Sequence, residues 1–349
     1  MRNRYSIVLA TMLVALLAGC PKGGKGPGGL GVPGGGVPGG GNVPGGLGGS
    51  SGMVDPDSCG NYAGSEAGRR FKAFLEAMQD MQKQSEEVVK VVKQSCVILG
   101  TEIGMIPADL EGETKEVCAR VYGEVDKNMK VVVKGKAAFK IKYKPAVCTV
   151  DVQASAKAAA ECEGKATADI KASCSGRCQG KCNGTCAGKA GTGGNAGECN
   201  GECKGTCEGK CDGHADVNAS AQCKAQASVK ASADINCTEP ELDVALDAKL
   251  VVDKSKAEKM VKGFKEALPK IFSVKARLEP LRFAAQNLVS ASAELKNMGG
   301  KFVSSFKDQA MCITGQVAAA AKAAGSIQAN VSVSVEVSAS ASGSVGAGG

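Results

Sequence analysis

The chain has 349 residues, a formal charge of +8, 48 Gly and 17 Cys, but one His, eight Phe, four Tyr and no Trp. A core made mostly of Ala and Val buries little area per residue, so a large domain built from it needs cross-links, oligomerisation or an outside surface. The near absence of His, with no Ser/His/Asp set, phosphate loop or paired carboxylates in context, points away from an enzyme and from any cofactor.

Arg2 and Arg4 precede an apolar run over Ile7 to Leu17 that ends in Leu17-Ala18-Gly19-Cys20. The run is far shorter than the ~20 residues of a bilayer span, and reads as a cleaved signal. These four residues resemble the lipobox of bacterial lipoproteins. The resemblance covers the first 20 residues only. It implies a signal peptide over 1–19 and lipid, palmitate included, on Cys20, which ties the protein to a membrane in the bacterial cell envelope. Pro21, where an Asp would hold the protein at the inner membrane, implies the outer membrane. Outside the cytosol disulfides persist, and setting Cys20 aside leaves an even 16 of the 17 cysteines. Losing Arg2 and Arg4 lowers the charge from +8 to +6, too modest for a dedicated nucleic-acid binder.

Residues 20–52 read as the lipidated Cys and a tether, because 17 Gly and five Pro fill positions 21–52, with GVPGG recurring. Such a composition cannot bury enough surface to fold. Gly48-Gly49-Ser50-Ser51-Gly52 matches GxSxG, but without a strand before it or a helix after it the match carries no nucleophile.

Residues 53–130 carry Phe71, Phe74, Leu75, Met78, Met81, Val88, Val92, Cys96 and Leu99 at helical spacing, then Val117, Val121, Val125 and Met129. Residues 253–325 repeat the pattern, with Pro269, Pro280 and Gly299-Gly300 as expected kinks or breaks. Together they predict a small helical head. Between them, over 131–252, the period changes to two: Val150, Val152, Ala154, Ala156 and onward are apolar on even numbers, and Ala215 to Ile235 on odd ones. The expected fold is α+β: the head plus a very long antiparallel β-hairpin, its turn near 189–196, of which residues 148–188 would span ~135 Å if extended. Residues 326–349, with Val331, Val333, Val335 and Val337 alternating with polar residues, predict a third, C-terminal strand beside the returning arm.

The hairpin cysteines pair by a constant sum of 385: Cys148 with Cys237, Cys162 with Cys223, Cys174 with Cys211, Cys178 with Cys207, Cys182 with Cys203, and Cys186 with Cys199. A constant sum is the register of an antiparallel pair, and directly opposed residues lie within disulfide reach. The same rule sets Gly180 opposite Gly205, Arg177 opposite Glu208, and the lone His214 opposite Lys171 on a solvated face. Cys59, Cys96, Cys118 and Cys312 then form two bridges inside the head, with Cys96 to Cys312 or Cys118 preferred. No metal site is expected, although CxGxCxGxC also admits a thiolate metal-binding reading. The basic run Lys130, Lys134, Lys136, Lys140, Lys142 and Lys144 faces Glu241 and Asp243 and reads as a solvated face.

The reading that follows is a noncatalytic, lipid-anchored envelope protein acting as a rigid spacer, adhesin or scaffold component. A protein partner or a second copy would meet its flat Ala and Gly face, and no small-molecule substrate is expected. The alternative is an oligomeric β-hairpin pore or outer-membrane assembly subunit, which the scarcity of aromatics in the arms disfavours.

Overall fold

A computed structural model describes residues 54–133, 139–190, 198–306 and 308–344. The class is α+β, with helices and antiparallel strands joined by disulfides. Helix α1 (Glu66–Glu102) begins where the Ser65 hydroxyl accepts the Gly68 N–H, and Glu66 lies at the positive end of the helix dipole. After a 3₁₀ turn (Pro107–Leu110), α2 (Thr114–Val132) returns, bridged to α1 by Cys96–Cys118. Later in the chain α5 (Lys254–Val303) and α6 (Ala310–Ser344) complete the bundle. Phe71, Phe74, Leu75, Met78, Phe264, Leu268 and Ile271 are fully buried in its core, each contributing about 1.5–3 kcal/mol. Tyr62, Phe71, Phe302 and Phe306 close one end, with Phe71 and Phe302 rings 5.2 Å apart.

Helix α5 continues through Pro269, Pro280 and Gly299-Gly300, where breaks were expected. A mid-helix proline removes one backbone hydrogen bond. Buried Leu268, Ile271, Phe272 and Leu281 on either side hold the helix in place regardless.

The C-terminal strand is not formed: residues 326–344 belong to α6. Its buried positions are Ile327, Val331, Ser334, Val337, Ser338 and Ala341, steps of three and four hidden inside a Val-Ser alternation. Serine made the alternation look polar-out. Ser334 instead turns inward, its hydroxyl donating to the Asn330 carbonyl at 2.9 Å.

The arms of the expected hairpin also divide differently. Strands β1 (Phe139–Lys144) and β8 (Glu241–Leu246) pair in the expected register, Phe139 opposite Leu246 and Lys144 opposite Glu241. Tyr143 packs on Phe272 and Phe139 on Phe264, which ties this ribbon to α5. Lys140 pairs with Asp247 at 3.6 Å and Lys144 with Glu241 at 2.5 Å, while Lys134 and Lys136 lie outside the described residues. Strand β2 (Cys148–Asp151) then meets β7 (Asn236–Cys237) at Cys148 and Cys237.

Beyond that point residues 152–163 form α3 (Val152–Glu163) and residues 221–233 form α4 (Ala221–Ala233), where strands were expected. Alanine is the best helix former, and an Ala alternation constrains the period weakly. The overlooked signals are the ends of α3. Asp151 accepts N–H groups from Gln153 and Ala154, and Gly164 closes the helix at φ 68°. Helix α4 is sandwiched: Ala225 and Val229 face the bundle core, whereas Ala227 and Ala231 face a second core shared with α3. Burial on both sides erases the single stripe by which a surface helix is recognised.

The second core consists almost wholly of Ala, Val and Cys from α3, α4, β3 (Ala172–Cys174), β6 (Ala215–Val217) and the long pair β4 (Arg177–Ala190) and β5 (Glu198–Cys211). Ala156 and Ala227 are therefore covered by the chain's own helices, and Ala168 is exposed in a 3₁₀ turn.

Candidate contact site: a disulfide-cored coil

The coil is built from the Cys/Gly repeat. Strand β4 pairs with β5 at Cys182 and Cys207, Gly184 and Gly205, and Cys186 and Cys203, so ladder partners add to 389. The register of 385 expected for this segment is displaced by four residues. Gly180 faces Gly209, not Gly205, and the Arg177 carbonyl accepts the Asp212 N–H at 3.1 Å, where Glu208 was expected opposite. The displacement arises between the base and the coil, because 24 residues separate Cys148 from Ala172 on one arm and 20 separate Val217 from Cys237 on the other.

A second set of pairs explains how the disulfides tolerate that shift. Residues 177–181 pair along one edge with 208–211 and along the other with 198–202, and Asn200 lies between Gln179 and Lys189. Positions ten apart on β4 thus flank one residue of β5, so the ribbon winds round itself about once per ten residues. At ~3.3 Å per residue that is a circuit of ~33 Å, and the bridged Cα atoms that face each other across it are only 5.6–6.0 Å apart, so its section is narrow and flattened. Such a bore has no space for larger side chains. It holds sulfur: Cys178, Cys182, Cys199, Cys203, Cys207 and Cys211 are buried.

The bridges cross this interior and do not join ladder neighbours. Cys174–Cys211, Cys178–Cys207, Cys182–Cys203 and Cys186–Cys199 have Cα separations of 5.6–6.0 Å, 5.6, 6.0, 5.8 and 5.8 Å in that order. Cys148–Cys237 closes the base and Cys162–Cys223 ties α3 to α4. The head carries Cys59–Cys312 and Cys96–Cys118, with no bridge from either to the coil. Glycine is required where the strands come closest. A Cβ on Gly205, whose φ is +153°, would lie 2.3 Å from the Asn183 carbonyl oxygen, and one on Gly184 would lie 2.1 Å from that of Lys204.

The outer face carries what the interior cannot. Arg177, Gln179, Lys181, Asn183, Asn200, Glu202 and Lys204 are exposed. Arg177 donates to the Asn200 side chain at 3.1 Å across the extra edge, and Lys181 lies 3.8 Å from Glu208.

Two contacts fix the coil's root to the bundle. His214 is not a solvated residue opposite Lys171: its ring stacks on Phe283 of α5 with centroids 3.8 Å apart, and Nδ1 lies 2.9 Å from the Ser175 hydroxyl. Burial holds its pKa below the ordinary imidazole range despite nearby Glu279 and Asp216. Glu163, buried at the end of α3, accepts the Ser220 N–H at 2.6 Å ahead of α4 and pairs with Arg70 of α1. Burial alone would raise its pKa; the hydrogen bonds from Ser220 and Arg70 outweigh that and lower it. A carboxyl depressed in this way stabilises the fold fully above its unfolded pKa of ~4.3, and that contribution fades as pH falls through the folded value. Neutral His214 acts in the same sense, its contribution fading as pH falls below ~6.5.

Cys20 lies outside the described residues. The helical residues that anchor the coil, Phe283 and Arg70, carry no sequence signal that pairs them with it. No family model, curated protein or solved structure matches the chain. Among the described residues no helix is long and apolar enough to cross a membrane.

Proposed function

We propose that the chain is a noncatalytic lipoprotein of the bacterial envelope, held in the outer membrane by Cys20, that presents the coil as a rigid contact surface for a protein partner or a second copy. The observation that carries this is the coil itself: four bridges stacked in a narrow interior make a rod whose shape does not depend on a large apolar core. The junction with the tether supports it. Just inside the body, Cys59 is bridged to Cys312, Gln316 receives the Asp55 N–H at 3.0 Å and donates to Ser58 at 2.9 Å, and Tyr62 donates to the Pro56 carbonyl. Tension along the tether would pass straight into α6 without peeling α1.

The flat Ala face is spent inside the chain, so the contact surface becomes the polar exterior of β4 and β5. Charged outer residues such as Arg177 and Lys181 are poorly suited to lipid, which weighs against the pore reading. Bridged sulfurs are not thiolates, which weighs against metal storage.

Fractionation of cells making the wild type and Cys20→Ser tests the anchor. The wild type is expected in the membrane fraction with an acylated N-terminal Cys20 peptide, and the variant in the soluble envelope fraction. A wild-type protein that is soluble and unacylated would remove the anchor and the reading built on it.

A further inference from the structure

A cleft of about 460 Å³ opens between α1, the end of α4, the Glu239-Pro240 segment and α5. Its apolar part is aliphatic: Val274 and Leu281 of α5 are buried, Val88 and Val91 of α1 are half-buried, and Pro240 and Pro269 flank them.

The charges around it are divided by wall. Lys270 and Arg277 come from α5, seven residues and ~10.5 Å apart along one helix. Glu87 of α1 and Glu239 come from the opposite side. None of the four forms an ion pair or hydrogen bond with another described residue. The Ser232 hydroxyl, also at the cleft, is already committed to Gln84 at 3.0 Å.

We infer that this cleft binds a short zwitterionic peptide: its carboxylate meets Lys270 and Arg277, its ammonium meets Glu87 and Glu239, and a small aliphatic side chain rests on Val88, Val274 and Leu281. A purely anionic ligand such as a nucleotide would face the two glutamates. The site is separate from the coil and does not depend on the contact role proposed above. It departs from the sequence-based expectation of no small-molecule ligand.

The test uses the whole mature protein, isotopically labelled, titrated with tripeptides of Ala, Val and Leu bearing free ends while amide shifts are followed. Shifts at α1 and α5 residues around the cleft are expected. Capping both peptide ends should weaken binding at least tenfold, equivalent to about 1.4 kcal/mol. Lys270→Glu with Arg277→Glu should abolish binding at an unchanged melting temperature, and Lys270→Ala serves if the double variant does not fold. Absence of shifts with every free tripeptide up to ~10 mM, a standard free energy weaker than about −3 kcal/mol, would overturn the inference. So would equal binding of the capped peptides.

Discussion

Gly205→Ala is expected to destabilise the coil by about 3–5 kcal/mol, at the top of the range for single substitutions. The added methyl would stand 2.3 Å from the Asn183 carbonyl oxygen, at a φ of +153° that side-chain-bearing residues rarely adopt. Relief requires parting β4 from β5 at Gly184, and the bridges Cys182–Cys203 and Cys186–Cys199 on either side oppose that movement. Thermal or denaturant unfolding of the mature protein reads the effect. Gly325→Ala is the matched control: it lies in α6 with nothing within 4 Å of the added Cβ. There alanine should stabilise by about 0.5–1 kcal/mol, as in any exposed helix interior. Equal effects at the two sites would mean that the strands do not approach so closely.

Removing one bridge from the bore, by Cys178→Ala with Cys207→Ala, should cost about 3–4 kcal/mol. The neighbouring bridges Cys174–Cys211 and Cys182–Cys203 keep the surrounding loop closed, so the unfolded chain regains only the freedom of the short segments between them, about 2–3 kcal/mol. The two alanines also leave a void among Cys174, Cys182 and Cys211, because little but sulfur fills the interior. The loss should be local. The bundle has its own core of Phe71, Phe74, Phe264 and Leu288, so amide exchange should rise across β4 and β5 while α1 and α5 keep their protection. Loss of protection in all helices together would mean that coil and bundle unfold as one unit.

The cysteine arithmetic was legible because it rests on chain positions alone, and the nested bridges obey it even where the strands do not. The ladder was not legible. A sum of 385 fits opposed strands, and it fits equally a ribbon registered at 389 whose bridges cross its interior. The ladder pairs themselves, such as Cys182 with Cys207, separate the two, and the second set, Cys178 with Gly201 beside Cys178 with Cys211, shows the winding. The head was legible where Phe, Leu and Met mark a stripe, as in α1. It failed in α3, α4 and the end of α6, where Ala and Ser fit either period and helix ends decide the outcome. Asp151 and Gly164 were the readable clues for α3. The stacking of His214 on Phe283 joins residues 69 positions apart, and no local pattern announces it.

Nested bridges, each crossing the inside of a wound ribbon, hold the coil together, and the proposed contact role rests on that arrangement. Peptide mapping of the mature protein, isolated from cells and digested without reduction, tests it most directly. The expected peptides join Cys174 to Cys211, Cys178 to Cys207, Cys182 to Cys203 and Cys186 to Cys199, alongside Cys148 to Cys237 and Cys162 to Cys223. Bridges between near neighbours such as Cys174 and Cys178, or free thiols within β4 and β5, would contradict it.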